Sequence, residues 1–235
     1  MSVLRAVNQD DEALSLGELG RRTGMPRSTV HRLVTELTGP GLLDRTEEGR
    51  FVIGTELWEL GELAPVSLRL RERALPHLQT LYEATGENVH LAVLSGHEAL
   101  YVARVTGTTS IPTITRMGGR LPLHTTGVGR AMLSMQSAGW IDDYLRAPLE
   151  RETAFSITDA SRLRIELRAA QQRGYATTRQ EMTLGNVSIA AVIPPVPGLP
   201  IAAVSVVSHL TRVDEARIAP LVMRTAATIG ADLLR

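Results

Sequence analysis

Cysteine and lysine are both missing from the 235 residues. Without cysteine there is no disulfide framework, no thiol nucleophile and no cysteine zinc site. All 25 basic side chains are therefore arginine. Complete lysine avoidance reflects composition and carries no mechanistic weight. Aromatic residues make up only 3%, too few for the stacking platforms that bind single-stranded nucleic acid. Long apolar runs are also lacking. The most apolar stretch, Val187 to Val207, is interrupted by Pro194, Pro195, Pro197 and Pro200, so it is not read as a membrane span. The first residues turn acidic at Asp10, Asp11 and Glu12 without a long apolar core, unlike a signal peptide. A soluble cytoplasmic protein is expected, with no membrane partner. An excess of charge of one sign is missing too: 25 basic and 25 acidic residues cancel, so overall charge alone indicates no polyanionic partner.

What remains is ordinary globular material, 43% hydrophobic and 21% charged. Glycine and proline recur throughout and exclude a rod. The length suits one large domain or two modest ones.

Three short helical patterns open the chain. Val3, Leu4 and Val7 mark the first. Ser15-Leu-Gly-Glu18 is a capping box that opens the second, which stops near Gly24. Pro26 suits the first turn of the third, expected over about Pro26 to Leu37. There Val30, Leu33, Val34 and Leu37 form one apolar stripe. The opposite face carries Ser28, Thr29, Arg32, Thr35 and Glu36, flanked by Arg27 and His31. Short donors and arginine at the front of an exposed helix suit base-edge and phosphate contact. Leu43 to Ile53 reads as a hairpin turning at Glu48-Gly49, with Arg45 and Arg50 on its flanks. Helix, turn, helix and hairpin make a winged helix-turn-helix. Residues 1–50 hold seven arginines against eight acids, so the order of elements argues for DNA more strongly than charge does. A helical docking module with a merely solvated charged face is the competing reading.

Thr55 is placed to cap a helix carrying Leu57, Trp58, Leu60 and Leu63, and Pro65 interrupts it. Leu68, Leu70, Leu75, Leu78 and Leu81 continue a helical pattern, with Pro76 a kink or boundary. The period then changes to two. Strands are expected over 88–94, 99–105, 111–116, 175–181, 187–193 and 201–207. Helices are expected over 127–135, 138–145, 161–173 and 213–234. This mixture is an α+β domain.

Pro122-Leu-His-Thr-Thr-Gly-Val-Gly-Arg-Ala-Met132 runs a loop of small residues straight into a helix. Free backbone N–H groups at Gly127, Val128 and Gly129 would favour an anion, and a carboxylate is the natural guest. A plain loop-to-helix junction is the alternative. The six histidines, at positions 31, 77, 90, 97, 124 and 209, form no His-x-x-x-His pair, so no metal or cofactor is expected and structural or surface roles are. An enzyme site near His124, Thr125 and Thr126, with Glu181 within reach, lacks any Gly-x-Ser-x-Gly elbow. The chain is read as not an enzyme.

The segments Leu16 to Leu33, Gly41-Leu-Leu-Asp-Arg45, Gly49 to Gly54, Gly86-Glu-Asn-Val-His-Leu-Ala-Val93, Arg120 to Leu133, Arg173-Gly-Tyr175 and Gly185 to Ala191 together resemble the IclR family of bacterial transcription regulators. The resemblance runs along nearly the whole chain in order, although the first helix looks clipped. It implies a DNA-binding winged helix over 1–54, a linker helix over 55–66, and an effector-binding, oligomerising domain over 67–235. That domain would be a GAF-like or profilin-like, mainly antiparallel sheet with helices on one side. The implied partners are double-stranded operator DNA, a small carboxylate effector, and further copies of the chain in a homodimer or homotetramer. The implied effector lining is Gly127, Val128, Gly129, Thr178, Ser188, Ser205 and Val207. Thr178 stands where relatives that bind small acids often have Asp, and Val207 where they often have Ser. Both changes imply an effector bulkier or less polar than a short keto acid. In the implied mechanism a dimer sets two reading helices in major grooves about 34 Å apart. Ser28, Thr29 and Arg32, with His31 beside them, face bases, while Arg27, Arg45 and Arg50 meet phosphate or the minor groove. The alternatives are a sensory or docking protein without DNA binding, and a small-molecule enzyme.

Overall fold

The computed structural model describes residues 1–8, 11–107 and 114–235. They form two compact units, Met1–Ala64 and Pro65–Arg235. Among the described residues no helix is long and apolar enough to cross a membrane.

The first unit holds α1 (Ser2–Arg5), α2 (Leu16–Thr23), α3 (Arg27–Thr38), the strands β1 (Leu43–Arg45) and β2 (Phe51–Ile53), and α4 (Thr55–Glu62). Ser15 caps α2 through the reciprocal box with Glu18, and Gly24 ends that helix in the left-handed region at φ 67°. Val3, Leu4, Leu14, Leu19, Val30, Val34, Leu43 and Phe51 form its core. Leu14 also bridges to Phe51, so the hairpin is tied to the chain entering α2. The cap of α4 is Gly54 rather than Thr55. A Cβ at residue 54 would sit 1.9 Å from the Gly41 carbonyl oxygen, so only glycine fits where the hairpin passes the end of α3.

The second unit begins with a π-helical stretch, Val66–Arg71, running into α5 (Glu72–Thr85). Pro76 lies inside α5 and does not end it. Then come β3 (Asn88–Ser95), β4 (Glu98–Val105), β5 (Arg120–Pro122), α6 (Gly127–Ser134), α7 (Ala138–Tyr144), α8 (Ala160–Arg173), β6 (Ala176–Arg179), β7 (Asn186–Val192), β8 (Ala202–His209) and α9 (Glu215–Leu233). The strand expected over 111–116 is not found as such. Residues 111–113 lie outside the described residues, and Ile114–Arg116 is not strand. The short edge strand is β5 instead, paired with Glu98–Leu100.

The sheet order is β5-β4-β3-β8-β7-β6, and every pairing is antiparallel. Its two faces differ. Val89, Leu91, Val93, Val204 and Val206 face the aliphatic core with Leu78 of α5 and Ile218 and Val222 of α9. Ala92, Ala190 and Ala203 face the core containing Val128 and Met132 of α6 and Leu163 and Leu167 of α8. Helices therefore cover both faces rather than one. Alternate strand positions meet different helices, so β3 and β8 are buried on both sides. The alanine face lets α6 lie close. A Cβ at Gly127 would come 2.3 Å from Ser188 Oγ, so the first turn of α6 presses its backbone onto β7.

Candidate DNA-binding face and effector pocket

On α3 the stripe of Val30 and Val34 turns inward, which fixes the other face outward. Arg27, Ser28, His31, Arg32 and Thr35 are exposed, and Thr29 is half-buried. Pro26 is the cap residue and offers no side-chain hydrogen bond. The first N–H groups of α3 are thus left for water or an anion.

The arginines differ in their partners. Arg27 makes no ion pair among the described residues and is exposed. Arg32 pairs with Glu36 one turn on, Nη1 to Oε1 at 2.6 Å, with both side chains well exposed. Arg45 is exposed with its guanidinium 5.9 Å over the Phe51 ring. Arg50 differs. Its Nε and Nη2 donate to the Ala13 carbonyl at 3.1 and 2.6 Å, and Nη2 lies 3.3 Å from Glu18. These contacts hold the hairpin to the start of α2, while the side chain stays 40% exposed. Arg22 is committed likewise to Asp11 and the Ala6 carbonyl. That bond to Arg22 holds the Asp11 carboxyl down to about 2. Asp10, grouped with Asp11 and Glu12 in the sequence, lies outside the described residues.

In the second unit a cavity of about 50 Å³ opens where the first turn of α6 meets the sheet. Sheet register explains its lining. One rung runs Thr178–Ser188–Val207–Asn88, and the next runs Ala190–Ser205–His90–Arg104. Gly127, Thr178, Ser188, Ser205 and Val207 line the cavity. Val128 and Gly129 do not. The Val128 side chain belongs to the core beneath α6, and a Cβ at Gly129 would meet Leu123 Cα at 2.5 Å. Thr126 precedes α6 without capping it. Its hydroxyl donates instead to the Pro122 carbonyl at 2.7 Å. The first N–H groups of the helix therefore lack a side-chain acceptor.

Sequence reasoning missed His90, Tyr101 and Arg130 here and named Glu181 only beside His124. His90 and Tyr101 reach the cavity from β3 and β4, and Glu181 reaches it after β6. Arg130 stands behind it. The guanidinium is 1% exposed and grips Glu181 with both Nη atoms, Nη1 to Oε1 at 2.9 Å. It also donates to the carbonyls of Thr177 at 3.1 Å and His124 at 2.5 Å. The pair cancels the Glu181 charge at the cavity wall and ties the 122–126 loop to β6. The signal for His90 was present: Asn88 and His90 are polar residues spaced by two in an otherwise apolar strand.

The local chemistry is that of binding. Burial lowers the His124 pKa. Its Nε2 donates to the Glu150 carbonyl at 2.9 Å, and Nδ1 lies 2.8 Å from the Tyr144 hydroxyl. Burial pushes that phenol up to about 12. Thr125 donates to the Met182 sulfur at 3.3 Å. No base faces either threonine through these contacts. Glu181 and His124 do meet, but through Arg130 and the His124 carbonyl rather than its ring. Tyr101 is hydrogen-bonded to the side chains of Thr126 and Thr115, and burial raises its pKa. Burial holds His90 down to about 3, with the Arg104 charge adding to the effect, so the imidazole is neutral. No group of three or more metal-ligating side chains occurs among the described residues.

The family model described as "Bacterial transcriptional regulator IclR C-terminal" matches residues 64–231. The model described as "IclR helix-turn-helix domain" matches residues 1–47. The chain belongs to the IclR family. It thus joins a helix-turn-helix DNA-binding domain to the carboxyl-terminal domain of a family of transcriptional regulators, not of enzymes. Among curated relatives, the HTH-type transcriptional regulator KipR of Bacillus subtilis is 33% identical over 182 residues, covering 77% of this chain and 73% of that one. The transcriptional repressor IclR of Escherichia coli is 30% identical over 222 residues, covering 93% and 81%. Among solved structures, an IclR homolog from Microbacterium hydrocarbonoxydans complexed with 4-hydroxybenzoate superposes with a TM-score of 0.92 at 32% identity, covering 99% of this chain and 96% of that one.

Proposed function

We propose that this IclR-family chain binds operator DNA through α3 and the hairpin, and that a small carboxylic acid in the α6 cavity sets its affinity for that DNA. The observation that carries the effector half is the uncapped start of α6 opening onto the polar rung of Thr178 and Ser188. Backbone N–H groups at a helix start attract a carboxylate. Glu181, the one acid among the described lining residues, is neutralised by Arg130. Ile114, Leu121, Met182 and Val207 supply apolar wall, which supports an acid with an apolar body over a short keto acid. The 4-hydroxybenzoate held by the Microbacterium homolog supports the same class.

On the DNA, Ser28, Thr29 and Arg32 read bases with His31 alongside, while Arg27 and Arg45 meet phosphate. Arg50 is reassigned to holding the hairpin. The exposed Trp58 and Leu60 of α4, and Leu63 just after it, support self-association, as a dimer that reads a pseudo-palindrome. By linkage the acid binds the DNA-bound and free forms with different affinity. The test is fluorescence anisotropy on DNA from upstream of the chain's own gene, over a salt series and against scrambled DNA. Addition of an organic-acid panel is expected to shift the specific curve only. Equal binding to both DNAs, or a strongest response to the smallest acids, contradicts the reading.

A further inference from the structure

His90 is the polar group of the cavity that the protein itself leaves unanswered. It is 1% exposed, lines the cavity, and its Nε2 has no hydrogen-bond partner among the described residues. Buried polar atoms are nearly always paired, so one facing a cavity marks where a guest atom belongs.

Register sets where that atom sits relative to the anion end. From Ser188, His90 lies two strands over, through β8 to β3, and one rung along. Strand spacing and rise put the two Cα atoms roughly 12 Å apart. With both side chains pointing into the cavity, the gap between them suits a body of about one ring or a short carbon chain. Ser205 is the direct cross-strand neighbour of His90. Ile114, Leu121, Met182 and Val207 flank the space between the two ends.

The chemistry of the far end follows from charge. The His90 ring is neutral, and the neighbouring Arg104 spends its Nη1 on the Thr115 carbonyl at 2.7 Å. A neutral imidazole offers one hydrogen bond and no ionic attraction, so a hydroxyl fits it better than a second carboxylate does.

We propose that His90 is a specificity-determining contact, forming one hydrogen bond through Nε2 to a hydroxyl at the end of the effector opposite its carboxylate. The effector class is thereby narrowed to hydroxy-carboxylic acids with an apolar body. The proposal rests on the carboxylate reading of α6 given above.

The test is titration calorimetry of the full chain with benzoate, its three ring-hydroxylated isomers, terephthalate and phenol. In the wild type, one hydroxybenzoate is expected to bind at least ten-fold tighter than benzoate, and terephthalate more weakly than that isomer. In His90→Phe the preference falls to within two-fold. His90→Gln restores part of the preference. A preference unchanged in His90→Phe, or none in the wild type, overturns the proposal. Benzoate binding that is lost in Ser188→Leu, with no hydroxyl preference, sinks the His90 contact alone. Phenol binding as tightly as the acids sinks the carboxylate reading as well. Nitrogen NMR of histidine-labelled wild-type protein is independent of any folding defect in the variants. A ring-nitrogen resonance that moves with the preferred hydroxy acid but not with benzoate is expected. No differential movement overturns the contact.

Discussion

Residues 1–64 display their candidate contacts on one exposed helix and one hairpin, within the stretch from Arg27 to Arg50. Residues 65–235 assemble theirs from β3, β4, the first turn of α6, β6, β7 and β8, and bury most of them. The difference is one of energetics as well as place. A side chain such as Arg32, 64% exposed in its ion pair, contributes little to folding and is available to a partner. A side chain such as Arg130, 1% exposed and bonded on both Nη atoms, is part of the fold and shapes the site from behind. Mutations should therefore separate cleanly. In the first unit they should change binding and spare stability. In the second they should change stability and effector response together.

The largest effect expected is on Arg130. Arg130→Met leaves Glu181 charged, buried and unpaired, which costs about 3–5 kcal/mol. Urea unfolding should move by that amount, and a near-neutral result would break the contrast between the units. Arg32→Ala should leave the unfolding midpoint within experimental error. It should also cost about 1–3 kcal/mol of discrimination between operator and scrambled DNA, read as the ratio of the two affinities.

Acid sharpens the comparison further. Because His90 stays neutral when folded down to about 3, the unfolded chain takes up its proton first. That contribution to stability is complete above the ordinary histidine pKa of about 6.5. It is lost progressively as pH falls from about 6.5 toward about 3. From pH 7 to pH 5.5 the loss is about 1 kcal/mol for this one group. His124, also lowered by burial, acts in the same direction. Urea midpoints measured at the two pH values should fall accordingly, with a smaller fall in His90→Asn. The smallest effect expected is for Arg45→Ala, which should weaken all DNA sequences alike and reduce the salt slope by about 1. A loss confined to operator DNA would move Arg45 among the base-reading residues.

These contrasts also explain what could be read in the sequence. The stripe Val30, Leu33, Val34, Leu37 fixes which face of α3 is outward because helix periodicity is local. The capping box at Ser15 and the hairpin around Gly49 are local in the same sense. The bond of Arg50 to the Ala13 carbonyl was not legible, because that partner is far away in sequence and carries no side-chain signature. Thr55 looked like a cap, but a backbone contact between Gly54 and Gly41 decides that position. In the second unit, Val128 and Gly129 were placed in the effector lining, while the turn of α6 sends the Val128 side chain into the core and only Gly127 of the three lines the cavity. The β-branched run near Ile114 suggested a strand, whereas the edge pairing falls to Arg120–Pro122, a choice made by the partner strand. The small-residue loop before Gly127 was legible as a helix start without a side-chain cap. The rungs bringing His90 and Ser205 beside it were not, because cross-strand register is set by the whole sheet.

The central claim is that the α6 cavity and the α3 face are thermodynamically linked. Its most direct test is operator affinity measured by anisotropy with and without a saturating organic acid, for wild type and Ser188→Leu, which fills the carboxylate end of the cavity. The account predicts a shift of about 5- to 150-fold in wild-type operator affinity. It also predicts unchanged acid-free affinity with no shift in Ser188→Leu. A shift of the same size in the variant, or none in the wild type with acid demonstrably bound, would contradict it.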